Sequence, residues 1–300
     1  MYLGEKNEKT FYHHFFSCYN QCMWPDLMNK YLACLRLNAV FLCKLLTCRF
    51  LNNEDYAQGY DKIAMDYDEN WLCYIQEHTE KFLQRLPMVN SCLPILDLGC
   101  GTGFSTGYFF QHYADSEVIG VDISSEMLKK AKEKYPQVQF VCDDMLAYLK
   151  RQPDESVAMI CSSWAIGYSN PRKIAVEAYR VLEQGGIFAF IVNTIDTLPR
   201  IFDAFRRTMY NYPLHVKKLL WPRFPKDFSF VKEKNFETLY HEKNSINIPV
   251  EDENIADWVF KTGIMSGFEK VIDRSLFCQE LKCSTAPLSH RHIIGIYRKK

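Results

Sequence analysis

Short apolar runs alternate with longer stretches of helical periodicity from residue 93 to the C-terminus. Each run is nearly continuous in hydrophobicity, as is typical of parallel strands that are buried on both faces. The alternation predicts an α/β fold: a Rossmann-like, doubly wound, mostly parallel sheet with helices on both sides. The runs are PILDL (94–98), EVIGVD (117–122), VQFVC (138–142), SVAMICS (156–162) and GIFAFIV (186–192).

Helix signals occupy the intervals between these runs. Ser124 precedes an acidic first turn, which predicts a capped helix start. Pro171 occupies a first-turn position, and apolar residues then recur at helical spacing until Gly185 and Gly186, which predict the helix end.

The alternation stops after the fifth run. Residues 196–253 hold five prolines, many aromatics and no regular period, so we expect an insertion that acts as a lid. Beyond it, the pattern predicts a helix that ends at Gly267, a strand over 269–278 and a final strand over 291–299.

The N-terminal part reads as a separate piece. Residues 1–52 predict a helical extension of two helices, followed by a long helical stretch over 55–86. The extension is rich in aromatics that must be covered, so it either caps the substrate pocket or pairs two subunits. The main domain is then expected over residues 53–300.

Composition narrows the class of protein. Lys plus Arg equals Asp plus Glu at 36 each, which argues against a dedicated nucleic-acid binder. Twelve cysteines include no C-x-x-C pair, so we expect reduced thiols in a cytoplasmic protein and no metal site. The most apolar window, 31–47, carries Arg36, Asn38 and Lys44. It predicts a helix packed on the core, with a membrane-surface helix as the alternative and no membrane span.

The most informative segment is LDLGCGTG, residues 96–103. Three alternating glycines follow a buried strand and precede a helix, so a ligand can approach the backbone and the helix N-terminus. Asp122 ends the next strand, where a carboxylate can accept hydrogen bonds from both ribose hydroxyls. The spacing G-x-G-x-G differs from the dinucleotide pattern G-x-G-x-x-G, and Asp97 would repel phosphates. The site therefore favours a nucleoside cofactor with an amino group and no phosphate.

With these residues the segment resembles the first motif of class I S-adenosylmethionine-dependent methyltransferases. The resemblance covers roughly residues 55–300, including VLEQGG before the fifth strand. It implies S-adenosyl-L-methionine as the cofactor and a seventh strand antiparallel to the fifth. YDKIAMDYDENW, residues 60–71, resembles the lead-in of the family's small-molecule members.

The resemblance also implies roles for individual residues around the cofactor. The methionine part would lie on the glycine turn, the ribose on Asp122 and the adenine between the ends of the second and third strands. The implied cofactor residues are Tyr60, Asp97, Gly99, Cys100, Gly101, Gly103, Asp122, Ile123, Met127, Asp143, Asp144, Met145, Cys161 and Ser162.

Residues on the substrate side are expected from the ends of strands four, five and seven and from the insertion. For substrate contact these are Trp164, Asn193, Asp196 and Trp221. His290 and His292 are the candidates for a general base, and Tyr67 is expected to close over the methionine end with Tyr60. The same histidines can equally be surface residues, and the same tyrosines core positions of an amphipathic helix.

We expect the acceptor to be a small molecule methylated on oxygen or nitrogen. Residues 213–235 mix aromatics with six Lys or Arg against two acids, which suits an apolar or aromatic acceptor with a negative group. The alternatives are a protein or RNA acceptor, a thiol-bound metalloid held near Cys100 and Cys161, and a non-catalytic protein that binds the cofactor and a partner. Methyl transfer itself needs mainly orientation and desolvation, so no catalytic dyad is required.

Overall fold

The structure is a computed structural model that describes residues 27–89, 91–219, 228–232 and 235–300. Its centre is a seven-stranded sheet in the order β3-β2-β1-β4-β5-β7-β6. The strands are β1 (Ile95–Leu98), β2 (Val118–Asp122), β3 (Gln139–Cys142), β4 (Val157–Ser163), β5 (Leu182–Asn193), β6 (Phe236–Asn247) and β7 (Ser289–Lys299).

Eleven α-helices are described around this sheet. They are α1 (Leu27–Leu46), α2 (Asn53–Ile63), α3 (Cys73–Leu83), α4 (Phe104–His112), α5 (Ser125–Lys134), α6 (Met145–Arg151), α7 (Pro171–Val181), α8 (Pro199–Asn211), α9 (Ser229–Lys232), α10 (Ile255–Lys261) and α11 (Arg274–Cys283). A π-helix (Asp68–Leu72) and three described 3₁₀ turns, at Ile166–Tyr168, Pro213–His215 and Phe268–Lys270, complete the elements.

The predicted doubly wound sheet is confirmed. Strands β1 to β5 are parallel, and β7 runs antiparallel between β5 and β6. All four residues of β1 are buried, because helices cover both faces of the sheet and create two apolar cores. The carboxyl ends of the parallel strands therefore meet at one edge, where a crevice can form.

Two predicted helix starts are confirmed, and one predicted helix end is wrong. Ser124 caps α5 by accepting a hydrogen bond from the Met127 amide at 3.2 Å, and Pro171 lies in the first turn of α7. However, α7 ends at Val181, before Gly185 and Gly186. Leu182 is already extended and pairs with β4, so both glycines belong to β5.

The sixth strand differs from the prediction. Residues 269–278 form a 3₁₀ turn and the start of α11, because the Asp273 carboxylate accepts from the Ser275 and Leu276 amides and caps a helix. The sheet is completed by β6, inside the predicted irregular insertion. It is an edge strand that pairs only with β7 and has mostly exposed positions, so its hydrophobic pattern is weak.

Two helical stretches are also shorter than predicted. The segment before Gly267 is helical only to Lys261, since Gly263 and Gly267 adopt φ of 77° and 83°. The stretch over 55–86 is divided by turns into α2, the π-helix and α3. A capping box between Asn52 and Asp55 fixes the start of α2.

The expected lid aromatics serve another purpose where the structure describes them. Phe228, Phe230 and Phe236 are buried in the core between the sheet and α7, and the ring centroids of Phe190 and Phe228 are 4.2 Å apart. They therefore do not enclose a substrate. Trp221 lies outside the described residues.

Within 1–52, the described part holds one helix, α1, so the prediction of two helices falls partly on residues outside the description. Leu37 anchors α1 in the core with 2% exposure. No helix in the described ranges is long and apolar enough to cross a bilayer. Ten cysteines in these ranges are free, and no group of His, Cys, Asp or Glu there is suited to a metal ion.

The helical assignment of α11 can be tested by its buried face. We expect Leu281→Ala to lower the free energy of unfolding by about 2–5 kcal/mol, because Leu281 is fully buried one turn after Phe277. Lys282→Ala, at the exposed neighbouring position, should change it by less than about 0.5 kcal/mol. Urea unfolding measures both; equal effects would contradict this packing.

Candidate functional site

The glycine turn after β1 adopts a backbone that only glycine takes readily. Gly99, Gly101 and Gly103 have φ of 73°, 54° and 86°, and Gly103 is the N-cap of α4. A Cβ at Gly99 would lie 2.1 Å from the Cβ of Ala165, whereas a Cβ at Gly101 would meet nothing within 4 Å. Gly101 therefore borders open space, and a ligand in this space would meet its bare backbone.

Asp122 fixes this turn. One carboxylate oxygen accepts from the Gly101 amide at 2.8 Å, and the other accepts from the Ser124 amide at 2.9 Å. Burial raises the pKa of Asp122, while these backbone hydrogen bonds favour its charged form. The carboxylate thus joins the end of β2 to the glycine turn at the wall of a crevice.

The crevice occupies about 730 Å³ at the carboxyl edge of the sheet. Eleven residues that the sequence placed at the site line it: Tyr60, Tyr67, Gly99, Gly101, Asp122, Ile123, Met127, Asp143, Asp144, Met145 and Trp164. Sequence reasoning missed the other lining residues, which are Asn53, Tyr56, Val121, Ser163, Ala165, Tyr168 and Ser169.

Four tyrosines form one aromatic group at this crevice. Tyr60 lies 6.3 Å from Tyr67 and 5.7 Å from Tyr168 between ring centroids, and Tyr56 lies 5.3 Å from Tyr168. Burial raises the pKa of Tyr60, Tyr67 and Tyr168, so their hydroxyls stay protonated at neutral pH. The spacing of Tyr56 and Tyr60, four residues apart on a helix, was a usable signal, but Tyr168 follows a separate strand and had none.

Asp143 and Asp144 are engaged in local structure. Asp144 caps α6 through the Ala147 amide at 2.8 Å, and its other oxygen accepts from the Asn53 side chain at 2.8 Å. Asp143 accepts from the Asp144 amide and pairs with Arg151. Together these contacts tie α2 and α6 to the rim of the crevice.

Five predicted cofactor residues lie behind the crevice and do not line it: Asp97, Cys100, Gly103, Cys161 and Ser162. Ser162 donates to the Leu98 carbonyl at 2.8 Å and so holds β1 against β4. Asp97 is fully buried; one oxygen accepts from Thr106 at 2.6 Å, and the other has no partner in the described part of the chain. Burial raises the pKa of Asp97 to about 7.

A second, smaller cavity adjoins the first. The two share Tyr60, Tyr67, Trp164 and Tyr168. The Asn193 Oδ1 atom is buried there without a hydrogen-bond partner among the described residues. The rest of the lining is Trp71, Thr197, Leu198, Phe202, Gly263, Ile264 and Phe268. Asp196 does not line either cavity, because it pairs with Arg291 at 3.0 Å.

Trp164 lines both cavities, and its backbone is strained. Its φ is 64°, which is uncommon for a bulky residue, and its indole N–H donates to the Thr79 hydroxyl at 2.8 Å. Backbone strain of this kind is concentrated at functional sites. Its ring also stacks on His290, with centroids 4.8 Å apart.

His290 and His292 line neither cavity. Both are fully buried beside Trp164, and burial lowers their pKa values to about 3 and about 4. They are therefore neutral at pH 7. Both ring nitrogens of His290 lack hydrogen-bond partners in the ranges that the structure describes.

The first cavity has the chemistry of a nucleoside site. It offers an unobstructed glycine backbone, a carboxylate at the end of β2, phenol hydroxyls and the apolar side chains of Ile123, Met127 and Met145. Such a set can bind a ribose, stack a base and hold a charged amino-acid group without contacting phosphate.

Comparison with known proteins agrees with this geometry. Residues 95–186 match a family model described as a methyltransferase domain. Trans-aconitate 2-methyltransferase of Azoarcus sp. is 29% identical over 140 residues, 45% of this chain and 51% of that protein. Malonyl-[acyl-carrier protein] O-methyltransferase of Pectobacterium atrosepticum is 30% identical over 160 residues, 52% of this chain and 60% of that protein. The matches thus span little more than half the length of these relatives.

A solved structure supports the fold alone. A chain in the complex of the Haloferax volcanii Trm112 methyltransferase activator has a TM-score of 0.51 and 16% identity, covering 81% of this chain and 96% of that chain.

The buried Asp97 predicts a pH dependence of stability. The folded state retains the Asp97 proton up to about pH 7, whereas the unfolded state loses it near pH 3.8, the ordinary pKa of an aspartate, so stability falls as pH rises between these values. Asp97→Asn lacks this loss. The free energy of unfolding of the variant should therefore rise relative to that of the wild type by about 1.4 kcal/mol per pH unit at most. Urea unfolding from pH 5 to 8 measures the difference.

The matched control is Asp115→Asn, at an exposed position. Its stability should follow that of the wild type across the same pH range. If Asp97→Asn also runs parallel to the wild type, Asp97 does not hold its proton in the folded protein.

Proposed function

We propose, for a chain whose residues 95–186 match a methyltransferase domain, that the protein transfers a methyl group from S-adenosyl-L-methionine to an oxygen or nitrogen atom of a small-molecule acceptor. The observation that carries the proposal is the open space at Gly101 beside the Asp122 carboxylate, within a crevice of about 730 Å³.

The residues around the crevice fit this cofactor. Gly99 and Gly101 offer bare backbone to its amino-acid end, supported from behind by Cys100, Gly103 and the fully buried Asp97. Asp122 offers carboxylate oxygens to the ribose hydroxyls, in addition to the backbone bonds it already accepts.

The base end of the crevice is apolar. Ile123 and Met127 provide one wall, Met145 another, and Asp143 and Asp144 stand at the rim, where an amino group of the base can donate. Cys161 and Ser162 act from behind, by holding β4 in register with β1. When bound, the cofactor supplies a methyl group that is already activated by a positively charged sulfur.

The second cavity is the proposed acceptor site. Aromatic rings from α2, the π-helix and the end of β4 enclose it, and Asn193 supplies its unpartnered amide oxygen. The described lining holds no Lys or Arg, so the acceptor body is apolar or aromatic with a polar group that can hydrogen-bond Asn193. The negative group expected from the basic stretch has no support from the described lining, and Lys218 pairs with Asp55 instead.

The catalytic task of the chain is to orient and desolvate. Tyr60, Tyr67 and Trp164 border both cavities, so they can hold an acceptor in line with the methyl group and exclude water. Because the pKa of Tyr67 is raised, its hydroxyl acts as a hydrogen-bond donor at neutral pH. His290 and His292 are buried behind Trp164, so a role as base would require them to become accessible.

Two further observations concern the class of acceptor and the cellular compartment. The relatives are named for small or carrier-bound acids, trans-aconitate and malonyl-[acyl-carrier protein], which supports a metabolite rather than a nucleic acid as acceptor. Ten free cysteines in the described ranges support a reducing compartment such as the cytoplasm.

Cofactor binding is tested by a pair of glycine substitutions. Gly101→Ala should weaken S-adenosylmethionine binding by about tenfold or more in calorimetry, because its methyl group enters the crevice. Gly185→Ala is the matched control: its φ of 82° is also positive and its Cβ space is also open, but it lies in β5 outside both cavities. Unchanged affinity in both variants would contradict the assigned site.

The acceptor site is tested by turnover. Release of S-adenosylhomocysteine should be detected with small apolar or aromatic acids, alcohols or amines. Asn193→Ala should then lower kcat/KM by about tenfold through loss of one hydrogen bond, with the affinity for S-adenosylmethionine unchanged. Turnover confined to protein or RNA acceptors would contradict the proposal.

A further inference from the structure

The outer face of α1 is unusually apolar for a surface helix. Eleven large apolar side chains are exposed in the described part of the chain, and six of them lie on this one helix. They are Tyr31 (73% exposed), Leu32 (45%), Leu35 (54%), Leu42 (56%), Leu45 (46%) and Leu46 (75%). The opposite face, with Leu37, packs on the core, so α1 is apolar on both sides.

The exposed residues follow a coiled-coil spacing. Tyr31, Leu35, Asn38, Leu42 and Leu45 are separated by four, three, four and three residues, which places them in one seam along the helix. We call these five residues the α1 seam. Leu32 and Leu46 widen the seam on one side.

The α1 seam is nearly symmetric about Asn38. Tyr31 and Leu45 lie seven residues on either side of it, and Leu35 and Leu42 lie three and four residues away. If two copies of this helix pack antiparallel across a two-fold axis at Asn38, Tyr31 meets Leu45 of the other copy, and Leu35 meets Leu42. A self-complementary surface of this kind is what an isologous dimer requires.

Asn38 distinguishes a second copy from a lipid surface. Its exposed side chain makes only a weak contact, 3.7 Å from the Cys34 sulfur. Within a bilayer the amide would lose its water without gaining a partner, which is costly. At a two-fold axis, the amide of one Asn38 can donate to the carbonyl oxygen of the other, which replaces the water that both side chains lose.

The exposed area is also of the right order. The six side chains, together with Leu214 (81% exposed) on the 3₁₀ turn that contacts α1, expose several hundred Å² of apolar surface. A standard interface buries roughly 800 Å² per partner. Isolated monomers rarely leave a contiguous apolar patch of this size uncovered.

We propose that the protein forms a two-fold homodimer in which the α1 seams of two chains pack antiparallel, with the two Asn38 side chains paired at the axis.

The test is the mass of the full-length chain in solution. Sedimentation velocity at micromolar concentration should give twice the chain mass of 35.3 kDa. L35K alone and L42E alone should each weaken dimerisation by at least about 100-fold, since a charge then replaces a buried leucine in two symmetry-related contacts. M65K is the matched control, because Met65 is also exposed (72%) but lies outside α1, and it should leave the dimer intact.

The double variant L35K/L42E tests the direction of the helices. In the antiparallel arrangement each lysine faces a glutamate of the other copy, so the double variant should dimerise more tightly than either single variant. In a parallel pair, like charges would meet and the double variant would stay monomeric, which would overturn the proposed arrangement. Melting temperatures and far-UV circular dichroism verify that each variant is folded.

A wild type that is still monomeric at 100 µM, roughly the highest dissociation constant of a specific association, would overturn the dimer proposal. Flotation of that monomer with vesicles of phosphatidylglycerol and phosphatidylcholine would assign the seam to a lipid surface. Absence of flotation would leave a monomer that covers the seam with its own chain.

Discussion

The hydrogen bond between the Asp122 carboxylate and the Gly101 amide is the constraint on which the site depends. It joins two neighbouring parallel strands at their carboxyl ends and holds the glycine turn in its left-handed backbone. At Gly101 this turn leaves the main chain bare toward the crevice. The same carboxylate also accepts from the Ser124 amide, next to the start of α5, so one acidic side chain organises the loops after both strands.

The aromatic part of the site depends on a close contact between α2 and the segment around Gly267. α2 carries Tyr56 and Tyr60 over the sheet edge, and it can do so because Gly59 lies against Gly267: a Cβ at Gly59 would come within 2.7 Å of the Gly267 nitrogen. Asn53 then ties α2 to Asp144 at the rim. The helix α2, which lines both cavities, is thus held against the C-terminal segment, whose residues Gly263, Ile264 and Phe268 line the second cavity.

Sequence patterns predicted the parts of this structure whose burial is complete. The five parallel strands and the turn at Gly99 to Gly103 were readable, because two-sided burial and left-handed glycines leave strong signals. β6 was not, since an edge strand with one exposed face has little apolar periodicity. Tyr168 and the second cavity were also missed, because they arise from contacts between residues that are far apart in the chain. The placement of His290 and His292 behind Trp164 likewise required the register of β7 against β5.

Trp164 has a consequence for how this protein can change over evolutionary time. The indole of Trp164 lines both cavities, and the backbone at this residue is strained. Any replacement of Trp164 reshapes both cavities, so a substitution at this position cannot change one cavity while leaving the other fixed. Changes of specificity in descendants of this chain should therefore arise mainly at Phe202, Ile264 and Phe268, which line the second cavity alone.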